Sequence, residues 1–125
     1  LCSLRDVMFI GKILDVENVL HKADLFLLTS EKESFGLSAL EAMASSVPVI
    51  SSNAGGLPEL VKEGESGFTC DVGDINSMSA KAIKILDEKN LNNFKESAFN
   101  VANNYDINII LPKYIEFYKK IINKY

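Results

Sequence analysis

Apolar residues along this chain fall into two rhythms. Up to about residue 73 they come in short runs separated by turn residues and brief helical stripes. The run VMFIG (7–11), closed by Gly11, predicts a buried strand. In DVENVLHKA (15–23), Val16, Val19, Leu20 and Ala23 recur at helical spacing behind Asp15, a suitable N-cap. DLFLLTS (24–30) is continuously apolar, as a parallel strand covered on both faces would be. SFGLSALEAMAS (34–45) predicts a helix and VPVISS (47–52) another strand. GGLPELVKEG (55–64) reads as a turn and a short helix ended by Gly64, and SGFTCDV (66–72) as a fourth, shorter strand. After Asp74 the rhythm becomes purely helical. Met78, Ala82, Ile83, Ile85 and Leu86 form one stripe, residues 91–104 a more polar one, and Ile109 to Ile122 a strongly apolar third.

Alternating strands and helices over 1–73, then helices over 74–125, give the expected fold class: α/β, with a Rossmann-like parallel sheet of about four strands and C-terminal helices. A full doubly wound domain usually has about five or six strands, so this sheet is half-sized. Without repeats, low-complexity segments or a flexible linker, residues 1–125 read as a single unit.

Composition narrows the partners. With 47% apolar and 24% charged residues, the chain is an ordinary globular sequence. A net charge of −4 without clustered Lys or Arg argues against a nucleic-acid partner, because a phosphate backbone calls for such clusters. Lys113, Lys119, Lys120 and Lys124 have the spacing of a solvated helix face. Two cysteines, Cys2 and Cys70, without a C-x-x-C pair suit reduced thiols and a cytoplasmic location. No apolar run approaches the ~18–20 residues of a membrane span. LCSLRDVMF shows no signal peptide and no initiating Met, so the sequence reads as a piece of something longer.

Candidate chemistry concentrates in EKESFGLSALE (31–41). In open α/β sheets, ligands bind beyond the carboxyl ends of strands, where loops lead into helix N-termini. Ser34 is expected to cap the helix from Phe35, leaving the amides of Phe35, Gly36 and Leu37 free for an anionic or hydroxylated ligand. Gly36 costs about 1 kcal/mol of helix stability relative to Ala, and open access of a ligand to the backbone would justify it. Leu37, Leu40, Glu41 and Ala44 share one face, so Glu41 places a carboxylate on an apolar stripe. Paired ribose hydroxyls would satisfy it, since a carboxylate accepts two hydrogen bonds at once. From spacing alone an alternative stands: Glu33 is a loop charge favoured by the helix dipole, and Glu41 is exposed at the stripe edge.

Several ordered blocks carry a resemblance. ESFGLSALEAMA, then VPVI and GGLPELV, resemble the E-x7-E block of retaining glycosyltransferases with the two-domain GT-B architecture. Upstream FIGK and ADLFLLTSEKESFGL and downstream GESGFTCDVGD extend the match from about Val7 to Tyr118. Within that family, LLTSEKESFGL most resembles the N-acetylglucosaminyl L-malate synthases of bacillithiol biosynthesis. The resemblance implies the second half of the nucleotide-sugar domain, with UDP-GlcNAc as donor and a small acceptor such as L-malate. Glu33 matches the glutamate at the donor sugar, near the reacting centre. Ser34, Phe35, Gly36 and Leu37 match the segment at the sugar and diphosphate, and Glu41 the glutamate on the ribose. Lys12 and Ile13 match the neighbourhood of the base pocket. The family's Arg and Lys pair and its N-terminal acceptor domain fall outside this sequence, so the chain alone is expected to be inactive. Without a D-x-D motif, no metal is expected. Oligomerisation stays open, and GDP-mannose or ADP-glucose as donor, or a silent nucleotide-binding module, remain the alternatives. Where the family has glycine before VPVI, this chain has Ser46, so a rearranged helix end is expected.

Elsewhere the bland readings prevail. Gly55 and Gly56 form a tight turn and Pro58 a first-turn helix residue. Because such loops favour binding, that turn is a candidate contact for the donor sugar. His21 is a surface residue, Cys70 a small buried hydrophobe, and Met43 and Phe35 core residues.

Overall fold

The computed structural model describes residues 6–124. Cys2 falls outside them. Among the described residues the order is α1 (Val16–Leu20), β1 (Phe26–Leu28), α2 (Leu37–Ala44), β2 (Val49–Ser52), α3 (Leu57–Leu60), β3 (Gly67–Cys70), α4 (Ile75–Leu86), α5 (Glu88–Asn103) and α6 (Ile107–Ile122). The three strands form one parallel sheet in the order β1-β2-β3, with Phe26 opposite Val49 and Val49 opposite Gly67.

The sheet has three strands rather than four. Residues 7–11 form no strand among the described residues, and Met8 and Phe9 are more than 80% exposed. An apolar run becomes a strand only where a neighbour satisfies its N–H and C=O groups, and among the described residues β1 pairs with β2 alone.

All four residues of β2 are buried, as expected of a central strand between two helical layers. Its alternating side chains divide the core. Val49 joins Ala39, Ala42, Met43, Leu57 and Leu60 on the face covered by α2 and α3. Ile50 joins Phe68, Cys70, Met78, Ile85 and Phe94 on the face covered by α4. Helix α5 serves both layers, with Phe94 in one and Ala98 and Ala102 in the other. Asp15, Asp74, Asp87 and Asp106 each cap a helix by accepting a backbone N–H. Helix α6 has no buried residue, and Tyr114, Phe117, Tyr118 and Ile122 are more than half exposed.

Lys81 on α4 ties β3 to the segment after α3. Its Nζ donates to the Thr69 carbonyl at 2.7 Å and to Glu63 Oε1 at 3.1 Å, while the Thr69 N–H donates to Glu63 Oε2 at 2.9 Å. Burial works to raise the Glu63 carboxyl, but the Thr69 N–H and the Lys81 ammonium outweigh it and hold it below its ordinary 4.5. Burial likewise works to lower Lys81, and Glu63 with the nearby Cys70 thiol reverses that and raises it.

The end of α2 was expected to rearrange because Ser46 stands where glycine is usual. It does not. Ser46 takes the left-handed conformation, φ +62. Its N–H donates to Met43 O and the Val47 N–H to Ala42 O, both at 2.9 Å. These are the two bonds of a Schellman motif, and serine bears the backbone cost.

Candidate functional site

The carboxyl ends of the three strands are stitched together. Ser52 Oγ, at the end of β2, donates to the Ser30 carbonyl just after β1. Asn53 donates its N–H to Cys70 O at 2.8 Å and its Nδ2 to Asp71 Oδ1 at 2.6 Å, joining β2 to β3. From this rim the segment 31–36 runs into α2. Glu33 is half-buried there, and its Oε1 accepts the Ser34 N–H at 3.1 Å.

Helix α2 starts later than expected. Ser34 does not cap it: Gly36 is the N-cap, left-handed at φ +95, and no side chain bonds the first turn. The uncapped amides therefore begin at Leu37, and Phe35 and Gly36 precede the helix. Gly36 is glycine for its own backbone and for packing, since a Cβ there falls 2.5 Å from Leu57 Cδ2. Phe35 is not a core residue; it is 39% exposed and meets Tyr105 edge-on, ring centroids 5.8 Å apart.

The buried side of α2 is Ala39, Ala42 and Met43. Leu37, Glu41 and Ala44 point the other way and are exposed, so Glu41 is not on a core stripe. With Ala44 and Ser45 it lines a cleft of about 440 Å³ whose opposite wall is Leu14, Asp15, Val16, Glu17 and Leu20. Along α2, Glu41 stands about 6 Å beyond Leu37 at ~1.5 Å per residue. Lys12 and Ile13 immediately precede the cleft wall but do not line it, and Glu33 lies outside it. The structure thus brings the Glu33 loop, the α2 amides and Glu41 onto one short segment, with only Glu41 in the cleft.

Two contacts of this segment were not expected from the sequence. Gly55 and Gly56 form the expected turn, but the turn abuts the Glu33 loop, with the Gly56 N–H donating to Ser34 O at 3.2 Å. The glycine pair just after a strand was the available signal. Tyr105, 70 residues from Phe35 in sequence, offered none.

A Rossmann-like parallel sheet with its loops gathered at the strand ends recurs in solved GT-B glycosyltransferases. One is the Anabaena HepE protein in complex with UDP, with a TM-score of 0.81 at 28% identity over 90% of this chain and 32% of that one. Residues 3–101 match the family described as glycosyl transferases group 1, and the chain belongs to that family. Among curated relatives, N-acetyl-alpha-D-glucosaminyl L-malate synthase of Bacillus anthracis is 47% identical over 85 residues, 68% of this chain and 22% of the relative. Glycogen synthase of Mycobacterium tuberculosis is 40% identical over 87 residues, 68% of this chain and 21% of the relative. The chain thus spans about a fifth of the length of these relatives. No helix among the described residues is long and apolar enough to cross a membrane.

Proposed function

We propose that this chain is the donor-binding part of a retaining glycosyltransferase that transfers N-acetylglucosamine from UDP-GlcNAc to a small hydroxylated acceptor such as L-malate. The observation that carries this reading is the arrangement on residues 33–41: a carboxylate on the loop, uncapped amides at the helix start, and a second carboxylate one helical turn on, at a cleft. In the proposed complex Glu33 accepts hydrogen bonds from the donor sugar. The Leu37 and Ser38 amides, with the positive end of α2, face the diphosphate, and Glu41 accepts both ribose hydroxyls in the cleft. The departing UDP gains negative charge in an oxocarbenium-like transition state. Preorganised donors aimed at such charge are worth about 2.7–4 kcal/mol each, so the amides do their main work in the transition state. The basic pair and the acceptor site are assigned to the remainder of a longer, cytoplasmic polypeptide. The Bacillus anthracis relative favours the GlcNAc donor. The Mycobacterium tuberculosis relative supports a second reading, with another nucleotide-sugar and a polysaccharide acceptor.

The test uses the full polypeptide that contains this chain, assayed with UDP-, GDP- and ADP-sugars. Loss of two charge-assisted bonds worth about 1.5–3 kcal/mol each should raise the donor KM of Glu41→Ala by at least about 100-fold. Glu33→Gln should lose most turnover while still binding UDP. Wild-type kinetics in both variants would overturn the site assignment, and turnover only with a GDP- or ADP-sugar would replace the donor. The isolated chain should bind UDP and transfer nothing.

A further inference from the structure

The loop carrying Glu33 rests on a turn that has no room for a side chain. Gly55 is left-handed, φ +55, and a Cβ built on it falls 1.5 Å from the Glu33 carbonyl oxygen and 2.7 Å from the carbonyl carbon. A Cβ on Gly56 falls 2.8 Å from the Ser34 carbonyl oxygen and 3.2 Å from Phe35 Cα. The Gly56 N–H also donates to that Ser34 oxygen. The turn cannot easily yield, because it leads directly into Leu57 and Leu60, both fully buried. Contact is therefore backbone against backbone, on one side a turn fixed to the core and on the other the residue assigned to the donor sugar.

We infer that Gly55 and Gly56 are positioning residues for Glu33: their lack of side chains lets the turn set where the Glu33 carboxylate stands. The inference rests on the assignment of Glu33 made above. Alanine at position 55 must drive the Glu33 carbonyl back by roughly 1.5 Å to restore a tolerable contact near 3 Å. A misplacement of about 1 Å can cost about 10²-fold in rate. The chain carries its own reference for the backbone cost. Gly64 is left-handed too, φ +76, yet a Cβ there meets only Phe68 Cε1 at 3.9 Å, and at Gly73, φ +80, it meets nothing within 4 Å. Alanine at 64 or 73 imposes the same unfavourable φ without touching the Glu33 loop.

The experiment compares Gly55→Ala, Gly56→Ala, Gly64→Ala, Gly73→Ala, Glu33→Gln and the Gly55→Ala/Glu33→Gln pair in the full polypeptide. The readouts are kcat, donor KM with UDP-GlcNAc, UDP affinity by calorimetry and the thermal midpoint. Gly55→Ala should lower kcat about 10²-fold and Gly56→Ala less, with UDP affinity nearly unchanged because Glu41 lies beyond the loop. Gly64→Ala and Gly73→Ala should lower the thermal midpoint with kcat little affected. Since Gly55 acts through Glu33, the paired variant should be no slower than Glu33→Gln alone. A Gly55→Ala kcat equal to that of Gly64→Ala, or losses that multiply in the pair, would overturn the inference. If Gly55→Ala does not fold, Gly56→Ala decides: a kcat matching Gly64→Ala overturns it. Undiminished turnover in Glu33→Gln would instead sink the assignment of Glu33, and the inference with it.

Discussion

Gly36→Ala measures whether the start of α2 is fixed by backbone and packing rather than by access for a ligand. The residue sits at φ +95, and an L side chain in a left-handed conformation costs about 1–2 kcal/mol. The added methyl falls 2.5 Å from Leu57 Cδ2 and 3.6 Å from Leu60 Cδ2, where ordinary carbon contacts lie near ~3.5–4.0 Å. Leu57 and Leu60 are fully buried, so the clash is relieved only by moving core groups, at about 1–3 kcal/mol. Restricting the unfolded chain returns about 0.4–1 kcal/mol. The net expectation is a loss of about 2–4 kcal/mol, read as a lower urea midpoint at unchanged slope. Leu57→Val, which itself costs about 1 kcal/mol for the lost methylene, makes room for the methyl. In that background Gly36→Ala should therefore cost about 1–2 kcal/mol less, a coupling typical of residues in contact. A Gly36→Ala loss under about 0.5 kcal/mol, or strict additivity with Leu57→Val, would refute the reasoning.

Ser46→Gly should stabilise the chain by about 0.5–1 kcal/mol, since it removes the left-handed cost while keeping both backbone bonds of the helix end. At this chain length that raises the calorimetric midpoint by about 2–4 °C, and an unchanged or lower midpoint would contradict it. Ser51 Oγ is buried without a hydrogen-bond partner among the described residues. Ser51→Ala should therefore stabilise by about 1 kcal/mol, and a loss of that size in urea unfolding would show that the hydroxyl is satisfied. The folded Glu63 carboxyl is held below 4.5, so its contribution is complete above that pH and fades as pH falls through the lowered value. Glu63 is more than half exposed, which limits the effect to about 0.5 kcal/mol. The stability gap between wild type and Lys81→Met should shrink correspondingly between neutral and strongly acid pH, and a constant gap would count against the pair.

Periodicity and turn chemistry made most of the fold legible. Asp15 and Asp74 mark helix starts in sequence and in structure, and DLFLLTS and VPVISS contain the paired strands β1 and β2. The failures share a cause: hydrophobicity reports what a residue prefers, not which partner is present. VMFIG has strand composition but no ladder partner among the described residues. On α4, Ile83 is 73% exposed although it belongs to the expected stripe. The candidate segment was legible and its geometry was not. Spacing drew attention to Gly36 and Glu41 and left the part of Glu33 open until the family resemblance was added, whereas the Gly55 contact and the Phe35–Tyr105 pair depend on distances the chain sets only after folding.

Helix α2 shows why the error there carries information. Hydropathy ranks leucine above alanine, so the stripe Leu37, Leu40, Glu41, Ala44 looks like the core face and makes Glu41 an anomaly. The helix instead buries Ala39, Ala42 and Met43, a mostly small-residue face that lets it lie close to α5 and the sheet, where a bulky face would hold it off. Packing thus leaves Leu37 and Ala44 exposed, on either side of a carboxylate that has no core to be excluded from. The cleft beside Ala44 combines an apolar wall (Leu14, Val16, Leu20) with a few polar groups (Asp15, Glu17, Glu41), as binding clefts do. Glu41 bears no burial cost in this position, so the fold leaves its carboxylate free for the proposed role of accepting two hydroxyls at once.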